Sequence, residues 1–402
     1  MSAIERLFTP RLAFLACVAI AASQYLVFVL ALAGLSADYT LGGDFAAFWS
    51  AAKETLNGNI TSLYNAEAFE KAIQSNSPHS DLMGLTWQYP PHATLLFSPI
   101  GALPFHVAYG VWALAGFVLY ALALASIGFR QRVLVAALAT IPVLLAIGTG
   151  QNGLFTAALL MVAVFQARSR PLVAGLAAAL LTIKPQLGFL LPVLFIAGGH
   201  WRAFAYAALG SILFVAVSIG VFGLEAWFVF FESVRSVSGS VATGMMPLFK
   251  MVNLYAASRL LGLPELVVFA MSGATVLAAV AATIWISRRT EDPKWRYAVI
   301  ACATLIAAPY SYYYELALIV PAIFFVLQRG YQAGWLRFER ETIAAAALIT
   351  LAVPGLPIRS GVSPAFILMA LVSLIVVRRI YAEFAARTDA QKTSAQSAVS
   401  TV

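Results

Sequence analysis

Charge is what this sequence has least of. Only 10% of its 402 residues are Asp, Glu, Lys or Arg, against roughly a quarter in a soluble domain. So few charged side chains cannot cover a globule in water, whereas a lipid-facing surface needs no such cover. Cysteine is almost missing as well. Cys17 and Cys302 both sit inside apolar runs, which excludes a disulfide framework and argues against zinc held by thiolates. The signatures of nucleotide and hydrolase chemistry are absent: no Gly-x-x-x-x-Gly-Lys-Ser/Thr, no His-Glu-x-x-His, no Gly-x-Ser-x-Gly. Nor is there a soluble domain to hold ATP or a nucleotide sugar, so any donor substrate must be reachable from the membrane. No internal repeat is evident, and no pair of matching halves with interrupted helices marks a transporter.

Apolar runs fill the space that charge leaves. The chain is 61% hydrophobic with a mean hydropathy of +0.87. Runs near 11–35, 107–128, 132–148, 153–167, 171–184, 186–199, 203–223, 264–287, 296–310, 312–327, 341–356 and 364–377 are candidate spans. The expected fold is therefore all-α, a polytopic transmembrane helical bundle of about twelve spans. The run 11–35 is too long for a signal-peptide core and is expected to be retained as the first span.

The net charge of +8 would point toward nucleic acid in a soluble protein, but these cations cluster in short loops and act as topology signals. With a cytoplasmic N-terminus, the inside loops hold Arg130, Arg132, Arg168, Arg170, Arg202, Arg288, Arg289, Lys294, Arg296, Arg329, Arg337, Arg340, Arg378 and Arg379. The outside holds only Lys53, Lys71, Lys184, Arg235, Lys250, Arg259 and Arg359. Both termini are then cytoplasmic. Residues 1–386 form one transmembrane domain, with long outer loops at 36–104 and 224–262, and 387–402 reads as a disordered cytoplasmic tail. Phe45–Leu56 and Leu63–Ile73 have apolar residues at helical spacing, which suits helices lying along the interface. Ala93–Pro104, apolar but cut by prolines, has the pattern of a re-entrant half-helix.

Polar residues inside such a chain need a reason. Asp44 follows Gly42-Gly43 and opens an amphipathic stretch. It can be a helix N-cap, or a carboxylate aimed into an outward cavity as a general base. Tyr89 and His92 flank Pro90-Pro91. Aromatic belt residues explain the first, while the histidine is either a satisfied surface group or a contact for protons or phosphate. Gly150-Gln151-Asn152-Gly153 is a turn signal whose amides also suit sugar hydroxyls. Lys184, before Pro185 and Gln186, sits at membrane depth or just outside, as a snorkelling lysine or as a cation for phosphate. In Pro309-Tyr310-Ser311-Tyr312-Tyr313-Tyr314-Glu315, an aromatic belt accounts for the tyrosines but leaves Glu315 unexplained.

In this order the segments resemble the polytopic bacterial glycosyltransferases of family 87, within the GT-C superfamily. The matching stretches are Asp44-Phe-Ala-Ala-Phe-Trp-Ser-Ala-Ala, Trp87-Gln-Tyr-Pro-Pro91, Gly150-Gln-Asn-Gly153, Lys184-Pro-Gln186, Lys250-Met251 with Arg259-Leu-Leu-Gly262, and Pro309-Tyr310 with Tyr314-Glu-Leu316. The resemblance implies a GT-C-like bundle in the bacterial inner membrane with a periplasmic active site. It implies a polyprenyl-phosphate sugar as donor, a glycolipid or glycan acceptor and inversion at the anomeric carbon. Asp44 is the implied base. Lys184 and Lys250, with His92 and Arg259 behind them, are the implied phosphate contacts. Tyr89, Gln151, Asn152, Gln186, Tyr310, Tyr314 and Glu315 are the implied substrate contacts. Where the family pattern leads one to expect Tyr-Asp-Leu, this chain has Tyr314-Glu315-Leu316. No metal, cofactor or nucleic acid is expected, and mannose is the sugar the family favours. The alternatives are a transporter or flippase of lipid-linked sugars, or a non-catalytic component of a membrane assembly.

Overall fold

The computed structural model describes residues 42–78, 84–242, 248–353 and 363–400; of 237–242, 352 and 387–400 the backbone alone is described. The expected first span, 11–35, lies outside these residues. The fold is all-helical, 81% helix, without a strand among the described residues.

Three short helices follow the start of the described chain: α1 (Phe45–Leu56), α2 (Ala66–Asn76) and α3 (Pro91–Phe97), with 3-10 turns at Ile60–Tyr64 and Ser98–Ala102. Then come α4 (Phe105–Ser126), α5 (Gln131–Leu138), α6 (Ile141–Thr149), α7 (Gly153–Phe165) and α8 (Pro171–Leu181). After Lys184 the chain continues as α9 (Pro185–Gly188), α10 (Leu191–Ala197) and the long α11 (Trp201–Ala242), which is broken at Gly223. The remaining helices are α12 (Leu254–Leu260), α13 (Glu265–Arg289), α14 (Pro293–Ala307), α15 (Val320–Ala333), α16 (Glu339–Ala352) and α17 (Pro364–Ser400). The backbone of α17 thus continues through the tail read as disordered.

The expectation of about twelve spans is not confirmed. Among the described residues, five segments are long and apolar enough to cross a bilayer: Phe105–Ser126, Trp201–Ser236, Glu265–Arg289, Tyr313–Ala333 and Pro364–Ala386. A sixth arises if α5 and α6, bent by 48° at their junction, count as one. Proline explains much of the shortfall. Pro142 opens α6 and Pro171 opens α8, while Pro185 and Pro192 open two further short helices. Proline fits a first helical turn and cannot continue a helix from the preceding one. Helix α7 has 13 residues, about 20 Å of rise, so it spans only part of a hydrocarbon layer.

The helices sort lipid from protein by face. On α4, Val107, Val111, Leu114, Val118 and Leu122 are exposed, while Tyr109, Trp112, Gly116, Tyr120 and Ala123 are buried. An apolar outside is what hydrocarbon requires. One core runs through α7, α8, α14, α15 and α17.

A second, aromatic core caps the bundle and is built mainly from residues 45–112, with Ile183, Ala226 and Phe230 joining it. Phe48 stands at its centre. Its ring meets Trp87 edge-on at 5.7 Å, Phe97 edge-on at 5.4 Å and Trp112 at 5.1 Å, within the range that favours edge-to-face packing. Helix α1 is therefore no interfacial amphipath, because every residue from Phe45 to Ala52 is buried. Its far side is covered by the Ser98–Ala102 turn, where a Cβ on Gly101 would come within 2.6 Å of the Ala52 and Lys53 backbone. Where the spacing predicts a helix over residues 63–73, a 3-10 turn Ile60–Tyr64 precedes α2, which buries only Phe69 and Ile73 and is amphipathic. Beyond Gly223 (φ 80°) α11 changes direction. Its second half meets the cap, with Phe230 against Tyr64 and Trp227 stacked on His92.

Cationic residues gather where α7, α8 and α14 end away from this cap. Arg168 pairs with Glu291, Arg329 grips Glu383 through two hydrogen bonds of 2.6 and 2.8 Å, and buried Arg379 pairs with Glu339. Arg296 donates to the carbonyls of Ser287 and Thr290, both at 2.7 Å, satisfying the carboxy-terminal end of α13.

Gly153 is where the fold leaves least room, since a side chain there would collide with the carbonyl of Tyr314. Gly153→Ala is expected to destabilise the protein by about 1–3 kcal/mol. A fall of several degrees in the melting temperature of purified protein checks this, and an unchanged value would contradict the packing.

Candidate active-site cleft

Backbone contacts bring Asp44 to the bundle. The amides of Gly42 and Asp44 donate to the carbonyls of Gly148 and Thr149 at 3.0 and 3.1 Å, so the start of α1 lies across the end of α6. The approach requires glycine twice. Gly42 adopts φ 68°, and Gly150 ends α6 at φ 74° with Phe45 directly against it. The peptide turn after Gly150 then presents Gln151, whose Nε2 donates to Asp44 Oδ2 at 3.1 Å. Although Asp44 occupies the N-cap position of α1, its side chain makes no capping bond. The carboxylate is turned toward Gln151 instead of its own helix.

Lys184 stands at the break between α8 and α9 with non-helical φ −127° and ψ 77°. It is buried, and its Nζ donates to Glu315 Oε1 at 2.8 Å. The rings of Tyr314 and Tyr89 face the ammonium at 5.1 and 5.6 Å, close enough for cation–π attraction. Tyr89 donates its hydroxyl to Asn152 Oδ1 at 3.3 Å. Lys250 arrives on the Leu248–Lys250 turn. The residues after it are pinned to the 308–312 segment. Met251 bridges Tyr312, Val252 N donates to Ser311 O at 3.0 Å, and Asn253 Nδ2 donates to the carbonyls of Ala308 and Pro309 at 2.8 and 2.9 Å.

These groups line one cleft of about 190 Å³. Of the residues singled out in the sequence, it contains Asp44, Tyr89, Gln151, Lys184, Gln186, Lys250, Tyr310, Tyr314 and Glu315. Three others are not brought to its lining. Asn152 is fully buried behind Tyr89. Arg259 sits on the last turn of α12. His92 is packed between Phe214 and Trp227 and bonded to Thr182 Oγ1 at 3.1 Å. Burial pushes the His92 imidazole down to about 4, against the hydrogen bond from Thr182.

The cleft also holds residues that sequence reading did not select: Leu85, Thr86, Gln88, Ile183 and Tyr312. Thr86 and Gln88 carried a usable signal. They alternate with buried Trp87 in an extended segment, so the two polar side chains face the opening while the indole anchors the cap.

Burial raises the Asp44 carboxyl above the usual carboxylate range, opposed by the Gln151 hydrogen bond and by the fields of Lys250 and Lys184. A carboxylate raised in this way accepts a proton more readily than a solvated one. The ammonium groups beside it suit a bound anion.

The family described as glycosyltransferase family 87 matches residues 87–309. No curated protein and no solved structure matches the chain. The matched segment includes Tyr89, Gln151, Lys184, Gln186 and Lys250, whereas Asp44 and Glu315 fall on either side of it. Their place in the site rests on the geometry above.

Asn253 carries much of that geometry, because it also caps α12 by accepting from Ala256 N at 2.9 Å. Asn253→Ala removes a donor from the Ala308 and Pro309 carbonyls together with the cap of α12 and is expected to cost about 1–3 kcal/mol. Thermal unfolding measures the loss, and an undiminished melting temperature would show that the 308–312 segment is held by other means.

Proposed function

Since the chain belongs to glycosyltransferase family 87, we propose that it transfers a sugar from a polyprenyl-phosphate donor to an acceptor hydroxyl at the non-cytoplasmic face of the bacterial inner membrane, with inversion. The observation that carries this reading is the cleft itself, where Asp44, held by Gln151, shares one cavity with Lys184 and Lys250. In the transfer step the acceptor oxygen attacks the anomeric carbon as the bond from that carbon to the phosphate oxygen breaks. The bonding pair leaves with polyprenyl phosphate, and the hydroxyl proton passes to Asp44. Lys184 and Lys250 stabilise the charge that builds on the departing phosphate. Gln151, Gln186, Tyr89, Tyr310 and Tyr314 contact the sugar.

Two further features support a membrane-delivered donor. Behind the Thr182–Pro185 turn lies an apolar groove of about 290 Å³, lined by Leu181, Pro185, Phe189, Phe195 and Phe204. It suits an isoprenoid chain whose phosphate is held at Lys184. The distribution of cations supports the sidedness, because the cleft end is poor in arginine and the opposite ends of α7, α8 and α14 are rich in it. Mannose is the sugar we favour, and a glycolipid or glycan the acceptor.

Comparing envelope glycolipids by mass spectrometry in cells with and without the protein tests the reading, the expected difference being one hexose. Asp44→Asn should lower turnover by about a thousandfold, the scale of a lost general base. Turnover close to wild type would remove the base assignment from Asp44. In Gln151→Met the ionised carboxylate loses its hydrogen bond, so the Asp44 carboxyl rises further. Because the base form exists only above that midpoint, the acid limb of the pH profile of kcat/KM should move to higher pH. A profile that stays in place would separate Gln151 from the base.

A further inference from the structure

Among the described residues of the cleft, Glu315 is the one acidic residue besides Asp44, and it differs in having no oxygen to spare. Oε1 accepts from Lys184 Nζ at 2.8 Å and Oε2 accepts from the Tyr312 amide at 3.0 Å. Its side chain is 1% exposed. The turn that carries it, Tyr313–Ile319, is pinned from two helices. Tyr120 of α4 donates to Ala317 O and Tyr297 of α14 donates to Leu318 O, both at 2.8 Å. Glu315 is therefore a fixed point in the bundle.

Lys184 is held differently: its amide donates to Leu181 O and its carbonyl accepts from Leu187 N, both at 2.9 Å, while its ammonium is met by Glu315 and by the rings of Tyr89 and Tyr314. It sits at a helix break, where neither α8 nor α9 dictates where its four-carbon stem points. A lysine so placed gains by turning its head toward water, and a buried ammonium without an anion beside it is strongly disfavoured. The carboxylate of Glu315 answers both. We propose that Glu315 is a positioning residue that contacts no substrate and acts solely through Lys184, keeping that ammonium buried, charged and aimed at the cleft. This departs from the substrate contact expected from the sequence, and it rests on the reading of Lys184 as a phosphate group's partner. The extra methylene relative to aspartate then has a purpose, since it lets one carboxylate bridge the Tyr312 amide and Lys184 together.

The test uses the full chain in lipid nanodiscs, polyprenyl-phosphate mannose as donor probe and a membrane lipid extract as acceptor. Lys184→Met, Glu315→Gln and the double variant are compared in kcat and in donor KM. Glu315→Gln keeps an acceptor for the Tyr312 amide but leaves the Lys184 ammonium unpaired, whereas the double variant holds no unpaired charge and is the one that best retains the fold. Each single variant should lose about 100-fold in kcat/KM with donor KM raised about tenfold, and the double should lose no more than Lys184→Met alone. Losses that multiply to about 10⁴-fold in the double would overturn the proposal. So would a Glu315→Gln enzyme with reduced kcat and unchanged donor KM, the mark of a role in folding alone. A near-normal Lys184→Met, or a wild type inert toward the probe, would bring down the phosphate reading itself. A defective Lys184→Met with independent losses removes only the role of Glu315.

Discussion

The arrangement depends on one close backbone contact, the crossing of the first outer segment over the end of α6. Two amide–carbonyl hydrogen bonds join Gly42 and Asp44 to Gly148 and Thr149, and glycines at 42 and 150 let the chains touch. Backbone hydrogen bonds fix position more tightly than side-chain packing does, because their geometry is directional. Once this contact forms, Asp44 and Gln151, 107 residues apart in sequence, become neighbours. The aromatic cap follows from it as well, since Phe45 and Phe48 leave the crossing already directed at Trp112 and Trp87.

Most of the cleft was legible in the sequence because the chain is so apolar. In such a background each polar residue costs free energy and stands out, and Asp44, Gln151, Lys184 and Glu315 were found on that basis, while Lys250 and the role of Gln186 came with the family resemblance. The same signal misled at His92. A histidine beside two prolines looks chemically equipped, but nothing in its local sequence shows that Phe214 and Trp227 arrive from a helix more than a hundred residues later. Asn152 and Arg259 do not line the cleft for related reasons, since which face of a turn or helix looks inward is decided by partners distant in the chain. The pairing of Lys184 with Glu315 was equally hidden, because both residues attract attention singly and only the packed bundle joins them.

The helical class of the fold was readable from hydropathy, but the number of crossings was not. Hydropathy averages over a run and does not register a break that splits it. Pro185 and Pro192 divide one apolar stretch into two short helices, and the 48° bend between α5 and α6 divides another. The converse error appears at α1. Phe45–Leu56 carries the pattern of a surface helix, yet it is enclosed on every side from Phe45 to Ala52 because alanine and glycine allow the Ser98–Ala102 turn to sit directly on its backbone. Small residues make such burial possible without leaving a periodic hydrophobic mark.

Among the described residues of the cleft, the carboxylates of Asp44 and Glu315 and the ammonium groups of Lys184 and Lys250 balance when each carries its usual charge. A cavity without a monopole exerts little pull beyond a Debye length. It therefore gathers no cloud of soluble anions from the aqueous phase, nucleotides included, and offers its cations only at contact range. A substrate already confined to two dimensions by a hydrocarbon tail needs no such long-distance attraction, and for it an electrically quiet entrance is no handicap.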